Sequence, residues 1–205
     1  LSANMVNFSG IRKDDRLNEL KMLLQEYPRK QLDSKNKQVA FYLNAYNILS
    51  IAKVAGNWPL KRLKSLGNYF KPVWTHPAGK VCGEKMTLRI LERDILRKLD
   101  EPRIHFAIVC ASVSCPDLHN EPYTAAKLNT QLDEQVNVFL HNNKKGLLLI
   151  DDEVIVSKIF KWFTEDFNKT GGVMRFIRRY RTDLEKTIKI GAYLDYDWSV
   201  NGLEN

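Results

Sequence analysis

Between Ser34 and Gly56 lies a helix-length segment that is apolar on almost every side, carrying Val39, Phe41, Leu43, Tyr46, Ile48, Leu49, Ile51 and Val54. A helix without a wet face has to be enclosed by the rest of the chain, so this segment is expected to be the central buried helix of the fold. Asp33 or Ser34 is placed to cap its start, and Gly56 with Trp58-Pro59 ends it. Asn44 and Asn47 are polar residues on this helix and must find partners inside. Loop backbone beside the helix is the simplest partner; contact with a substrate is the other.

Upstream, Leu17, Leu20, Leu23 and Leu24 predict a helix over Asp14 to Tyr27, stopped by Pro28. Downstream, a short helix from Pro59 to Leu66 leads through Tyr69, Phe70 and Trp74 to a hairpin around Gly83. Thr87 is read as the cap of a helix through Leu99, and the apolar run Arg103 to Val109 as a buried strand after Pro102. A helix from Thr124 to about His141 follows. Leu147 to Ile150 and Val154 to Val156 form a second hairpin, and Ser157 caps a helix from Lys158 to Phe167. Gly171-Gly172 then breaks the chain ahead of a basic helical region and an aromatic tail, Tyr193 to Trp198.

Short strands that do not alternate regularly with helices predict an α+β class: a helix-rich single domain with a small mixed sheet packed on the central buried helix. Residues 1–30 are expected to be a helical N-terminal extension packed on a domain of residues 31–205. With 205 residues, 44% hydrophobic and 27% charged, the chain is large enough to fold without covalent staples. No apolar stretch approaches the roughly 20 residues of a membrane helix, and Leu1-Ser2-Ala3-Asn4 has neither a basic start nor an apolar core of a leader. A soluble protein is expected; a periplasmic or secreted location after signal removal and a cytoplasmic one both stay open. The net charge of +8 permits an anionic partner. Its densest cluster, Arg175, Arg178, Arg179 and Arg181, interleaves with Met174, Phe176, Ile177 and Tyr180, as on the wet side of a packed helix. No nucleic-acid-binding motif accompanies it, so the expected partner is a small molecule or peptide rather than DNA or RNA.

The chemistry-bearing feature is Cys110-Ala111-Ser112-Val113-Ser114-Cys115, where a buried apolar run empties into a loop of small polar residues. A thiol nucleophile needs a base within hydrogen-bond reach. His105 is the nearest imidazole in sequence, but on a continuous strand it would lie roughly 16 Å from Cys110 and on the opposite face. That geometry moves the reactive role to Cys115, which could fold back toward His105, and leaves Cys110 as an anchor. His76 and His119 are the other bases on offer. A Cys110–Cys115 disulfide would need only a turn that brings the pair together. A zinc set of Cys110, Cys115 and His119 with Cys82 or His76 matches no standard spacing, and no motif calls for a cofactor.

Several ordered segments carry a resemblance: Phe41-Tyr42-Leu43-Asn44-Ala45-Tyr46-Asn47, the run Ile104 to Pro116, Tyr123-Thr124 with Gln131-Leu132-Asp133, Ser157 to Trp162, and Tyr196-Asp197-Trp198-Ser199. Together they resemble the family built on the domain of unknown function 547, over a core of about residues 38–140 and on through the tail. The resemblance implies a single-domain, often exported protein and supplies no established catalytic or binding residue. One departure is Arg93, where the family pattern has His after the acid at Glu92.

The functional expectation is therefore a cleft between the Asn44 helix and the Cys110–Cys115 loop. Catalytic candidates are Cys115, His105, Glu92 and Cys110; substrate-binding candidates are Asn44, Asn47, Ser112 and Ser114. Glu92 is read first as half of a buried ion pair with Arg103 or Lys158 and second as a general acid. Trp162 and Trp198 are read as core, and Asp197 as a tie for the C-terminal turn. Two functions compete: a hydrolase or acyltransferase using thiol or acid/base chemistry, and a noncatalytic binding module whose cysteine loop is structural, bridged or buried.

Overall fold

The computed structural model describes residues 5–68 and 71–203, so residues 1–4, Tyr69, Phe70, Glu204 and Asn205 lie outside it. Helix α1 spans Phe8–Arg12, α2 Arg16–Glu26 and α3 Lys35–Gly56. α3 is the enclosed helix its composition demands. Ser34 caps it by accepting from the Lys37 N–H, and buried residues appear on every side, from Val39 and Ala40 to Leu49, Val54 and Ala55.

α2 meets this centre only through its C-terminal end. Leu24 is buried, whereas Leu20 and Leu23 are 41% and 64% exposed. The helix packs on α3 and on the turn of a hairpin, β1 (Pro77–Val81) and β2 (Glu84–Thr87), where the Cys82 and Gly83 N–H groups donate to the Leu24 and Gln25 carbonyls. Both turn residues have positive φ, as a tight two-residue hairpin turn requires.

The next segment departs from a regular helix. Thr87 Oγ1 does accept from the Ile90 N–H, but residues Ile90–Ile95 form a π-helical turn and Leu96–Leu99 a 3₁₀ turn. The run Arg103 to Val109 is not a strand. Pro102–Phe106 is a 3₁₀ turn, started by the Glu101 carboxylate accepting from the Arg103 N–H, and the chain continues irregularly into the cysteine loop. Pro at a helical first turn beside a capping acid is a start signal that outweighed the β-branched composition.

α4 (Leu128–Leu140) begins one turn later than its Thr124 cap implied, because Gln131 Oε1 instead accepts from the Thr124 N–H in the preceding loop. β3 (Leu147–Ile150) and β4 (Glu153–Val156) form the second hairpin, and β5 (Lys189–Tyr193) adds in parallel to β4, giving a small mixed sheet. The helix expected over Lys158 to Phe167 is broken at Phe163 into α5 (Lys158–Trp162), capped by Ser157, and α6 (Thr164–Asn168). α7 (Val173–Arg178) buries Phe176 and Ile177, while Arg178 and Arg181 donate to backbone carbonyls of Ile188 and Leu140. The architecture is α+β, with the β1–β2 hairpin on α3 and the mixed sheet over a second apolar cluster built on Phe106, Phe139, Phe160, Phe167 and Phe176.

The C-terminal tail stitches these parts together. Val200 pairs with Ser112 and Ser199 with Arg62 in isolated bridges, and Gly202 pairs with Val6 beside α1. No helix among the described residues is long and apolar enough to cross a membrane.

Candidate functional site

Both asparagines of α3 spend their side chains on backbone. Asn47 donates to the Ala107 carbonyl and accepts from the Val109 N–H, both at 2.9 Å. Asn44 does the same for both groups of Tyr123. Asn47 thereby sets the path of the chain just before Cys110. From the other side, Gln135 on α4 donates to the carbonyls of Phe106 and Asp117, so the cysteine loop is held at both ends.

The tail completes the loop. Val113 and Ser114 N–H groups donate to the carbonyls of Ser199 and Asp197, and Ser114 Oγ accepts from the Asp197 N–H at 2.8 Å. Asp197 is the expected tie, its carboxylate accepting from the Ser199 N–H. Ser114 is thus committed to the tail rather than to the cleft. Ala111, immediately after Cys110, has φ +58°, a left-handed conformation that costs a residue with a β-carbon on the order of 1 kcal/mol.

The loop places the two sulfurs differently. Cys115 is buried at 6% exposure, and its sulfur accepts from the Cys110 N–H at 3.0 Å. Cys110 is only partly buried; its sulfur lies 3.1 Å from Ser112 Oγ and 3.6 Å from the Tyr196 hydroxyl. Both cysteines are free thiols. A hydrogen bond from Cys115, seconded by Ser112 and Tyr196, outweighs burial and holds the Cys110 thiol below the usual cysteine range, whereas burial pushes Cys115 well above it. The preference for Cys115 rested on a strand that is absent, and the loop presents the two in the opposite order.

Both cysteines line a cavity of about 220 Å³ between α3, the π-helical turn, α5 and the tail. His105 also lines it, since the 3₁₀ turn does not impose the face alternation of a strand. Its ring is stacked on Phe163 with centroids 3.9 Å apart. His105 Nε2 donates to Asp166 at 2.9 Å, and Asp166 also accepts from Arg97 at 2.6 Å, while the buried Nδ1 makes no hydrogen bond. Burial keeps the His105 pKa below its usual value, so the neutral ring with Nε2–H toward Asp166 is favoured. Burial works against the Asp166 carboxylate too, but the His105 and Arg97 bonds prevail and hold it well below the usual carboxylate range.

Glu92 enters the cavity from the π-helical turn. The expected ion pair with Arg103 or Lys158 is not formed: Arg103 is bound to Glu101 and Asp133, and Lys158 to Asp195. Burial, followed by the neighbouring Cys110 charge, pushes Glu92 up to about 7, so it can hold or give a proton at neutral pH. The remaining wall is aromatic, with Tyr46, Trp74, Trp162, Tyr196 and Trp198. Trp162 is 44% exposed, so the two tryptophans read as core instead frame the cavity.

The structure therefore brings together Cys110, Cys115, His105 and Glu92, adds Ser112 as a partner of Cys110, and leaves Asn44, Asn47 and Ser114 as backbone supports. Asp166, Arg97, Tyr196 and Tyr46 were not among the candidate site residues. A signal for Tyr196 existed, because Tyr196-Asp197-Trp198-Ser199 was among the family-like segments; Asp166 has none, lying alone 61 residues from the histidine it orients. His119 lies with Glu121 and Glu134, His76 bonds the Lys71 carbonyl, and among the described residues no three metal-ligating side chains converge.

No curated protein and no solved structure matches the chain. The family model described as Protein of unknown function, DUF547, matches residues 30–140, which carry α3, the β1–β2 hairpin, Glu92, His105 and the whole cysteine loop. A match over more than half of its length makes this chain a member of the DUF547 family.

Proposed function

We propose that the cavity is a thiol active site for acyl transfer or hydrolysis, with Cys110 as nucleophile. The observation that carries this reading is Cys110 lining the cavity with Ser112 and Tyr196 as hydrogen-bond partners of its sulfur, while His105 lines the same cavity with one nitrogen clamped by Asp166 and the other unbonded. A nucleophile, a base and an orienting carboxylate are the parts such chemistry requires. His105 Nδ1 takes the Cys110 proton as sulfur attacks an acyl carbonyl carbon. The imidazolium, stabilised by Asp166, returns that proton to the leaving group as its bond to the acyl carbon breaks. Water, deprotonated by the same nitrogen, then cleaves the thioester and regenerates the thiol, or another nucleophile accepts the acyl group. Protonated Glu92 is a hydrogen-bond donor for charge that develops on the acyl oxygen.

Alkylation with iodoacetamide, followed by peptide mass spectrometry across a pH series, tests this. Cys110 should be modified first in the native protein, with a rate midpoint at least about one pH unit below the ~8.5 of an ordinary thiol. The midpoint should rise in Ser112→Ala, which removes a hydrogen-bond partner of the Cys110 sulfur. Modification of Cys115 ahead of Cys110, or an ordinary midpoint at Cys110, would overturn the reading. The competing function, noncatalytic ligand binding, draws on the aromatic wall alone and expects a Cys110 no more reactive than a free thiol.

A further inference from the structure

Lys64 stands at the edge of the aromatic wall, on the 3₁₀ turn Leu63–Leu66, with its ammonium 3.5 Å from the centre of the Trp198 ring. Trp198 is packed against Tyr196 at 4.5 Å and Trp162 at 5.5 Å between ring centroids, and Tyr196 meets Trp162 at 4.9 Å. Among the described residues no carboxylate lies within ion-pair distance of Lys64, whereas Lys158 and Lys169 each have one. Contact with the ring face is a weak tether, worth about 0.5–1 kcal/mol at an exposed site. The lysine charge also reaches the Cys110 sulfur: withdrawal from water lowers the Lys64 pKa, and Cys110 acts against that shift. A cation so placed, beside flat apolar surface, is free to exchange its ring for an anion.

We propose that Lys64 and the Trp162–Tyr196–Trp198 rings form the recognition site for a substrate group that is flat, apolar and negatively charged. Its link to chemistry rests on the thiol-site reading, since the same rings wall the Cys110 cavity. The rings take the apolar part by stacking and burial, and Lys64 selects anions over neutral or cationic analogues. A role for Lys64 confined to stabilising the Cys110 thiolate would give no such selection.

Three probes of one shape separate these roles: 3-phenylpropionate, its neutral amide, and 3-phenylpropylammonium, titrated into the full chain and followed by ligand-observed saturation-transfer NMR and tryptophan emission. The anion should bind roughly fivefold more tightly than the amide, the amount a partly exposed ion pair supplies, with the cation weakest. Lys64→Gln should erase the difference between anion and amide, Lys64→Arg should keep it, and Trp162→Ala should weaken all three probes. Equal affinity for the three, or a preference that survives Lys64→Gln, overturns the proposal. The titration does not need a reactive sulfur, so a selective site in a protein whose Cys110 alkylates like a free thiol would sink the thiol reading alone. Non-selective binding in a protein with a reactive Cys110 would sink this one alone.

Discussion

Two aromatic clusters lie within a few residues of each other in this molecule and behave in opposite ways. The phenylalanine cluster under the mixed sheet, Phe106 with Phe139, Phe160, Phe167 and Phe176, closes on itself, every ring at most 2% exposed. The cavity cluster, Trp74, Trp162, Tyr196 and Trp198, is no less rich in rings, yet it surrounds an opening and shares it with a thiol, a carboxyl and an imidazole. His105 and Phe106 are consecutive residues on one 3₁₀ turn, the first facing the opening and the second sealing the closed cluster. Ring count does not separate a core from a site; what separates them is whether the polar groups between the rings have been removed or retained.

The largest effect should come from the closed side. Phe106→Ala is expected to cost about 4 kcal/mol, the range of a large core truncation that leaves a cavity, as measured by urea unfolding. A cost below about 1 kcal/mol would mean that this cluster is as loosely packed as the other.

Glu92 gives the next effect, with the opposite sign. Its folded pKa of about 7 lies above the ordinary 4.5, so the folded protein holds a proton that the unfolded chain has released across that window. Stability from this group is fully present below pH 4.5 and declines as the pH rises toward 7. Glu92→Gln should match the parent near pH 4 and exceed it by about 3 kcal/mol at pH 8, in denaturant melts at both pH values. An equal offset at the two pH values would show that the open cluster stores no such charge. Trp162→Ala sharpens the contrast from the other end: a half-exposed ring on the rim should cost less than about 1 kcal/mol in the same melts.

Which parts were legible in the sequence follows the same division. α3 and its Ser34 cap could be read because periodicity and capping chemistry act locally and agree. Both hairpins could be read from their turn residues. The run Ile104 to Val109 could not, since a short apolar stretch has the same composition in a strand and in a buried turn, and the deciding residues, Glu101 and Pro102, stood outside it. That one reading carried the site with it: the supposed strand separated His105 from Cys110 and promoted Cys115. The cavity could be located from the asparagine helix and the cysteine loop, but Asp166, Arg97 and the aromatic rim come from distant segments that only packing brings together.

The π-helical turn at Ile90–Ile95 has a further consequence. Such a turn accommodates one more residue than an α-helix would over the same rise. Loss of a single residue between Leu91 and Ile95 would let the segment relax into regular helix and swing the Glu92 position roughly 100° about its axis, the rotation that one α-helical residue represents. The acid would leave the cavity while the apolar residues on either side kept their seats. Length variation at this one turn is thus a way for a related chain to keep the fold and take the carboxyl out of the cavity.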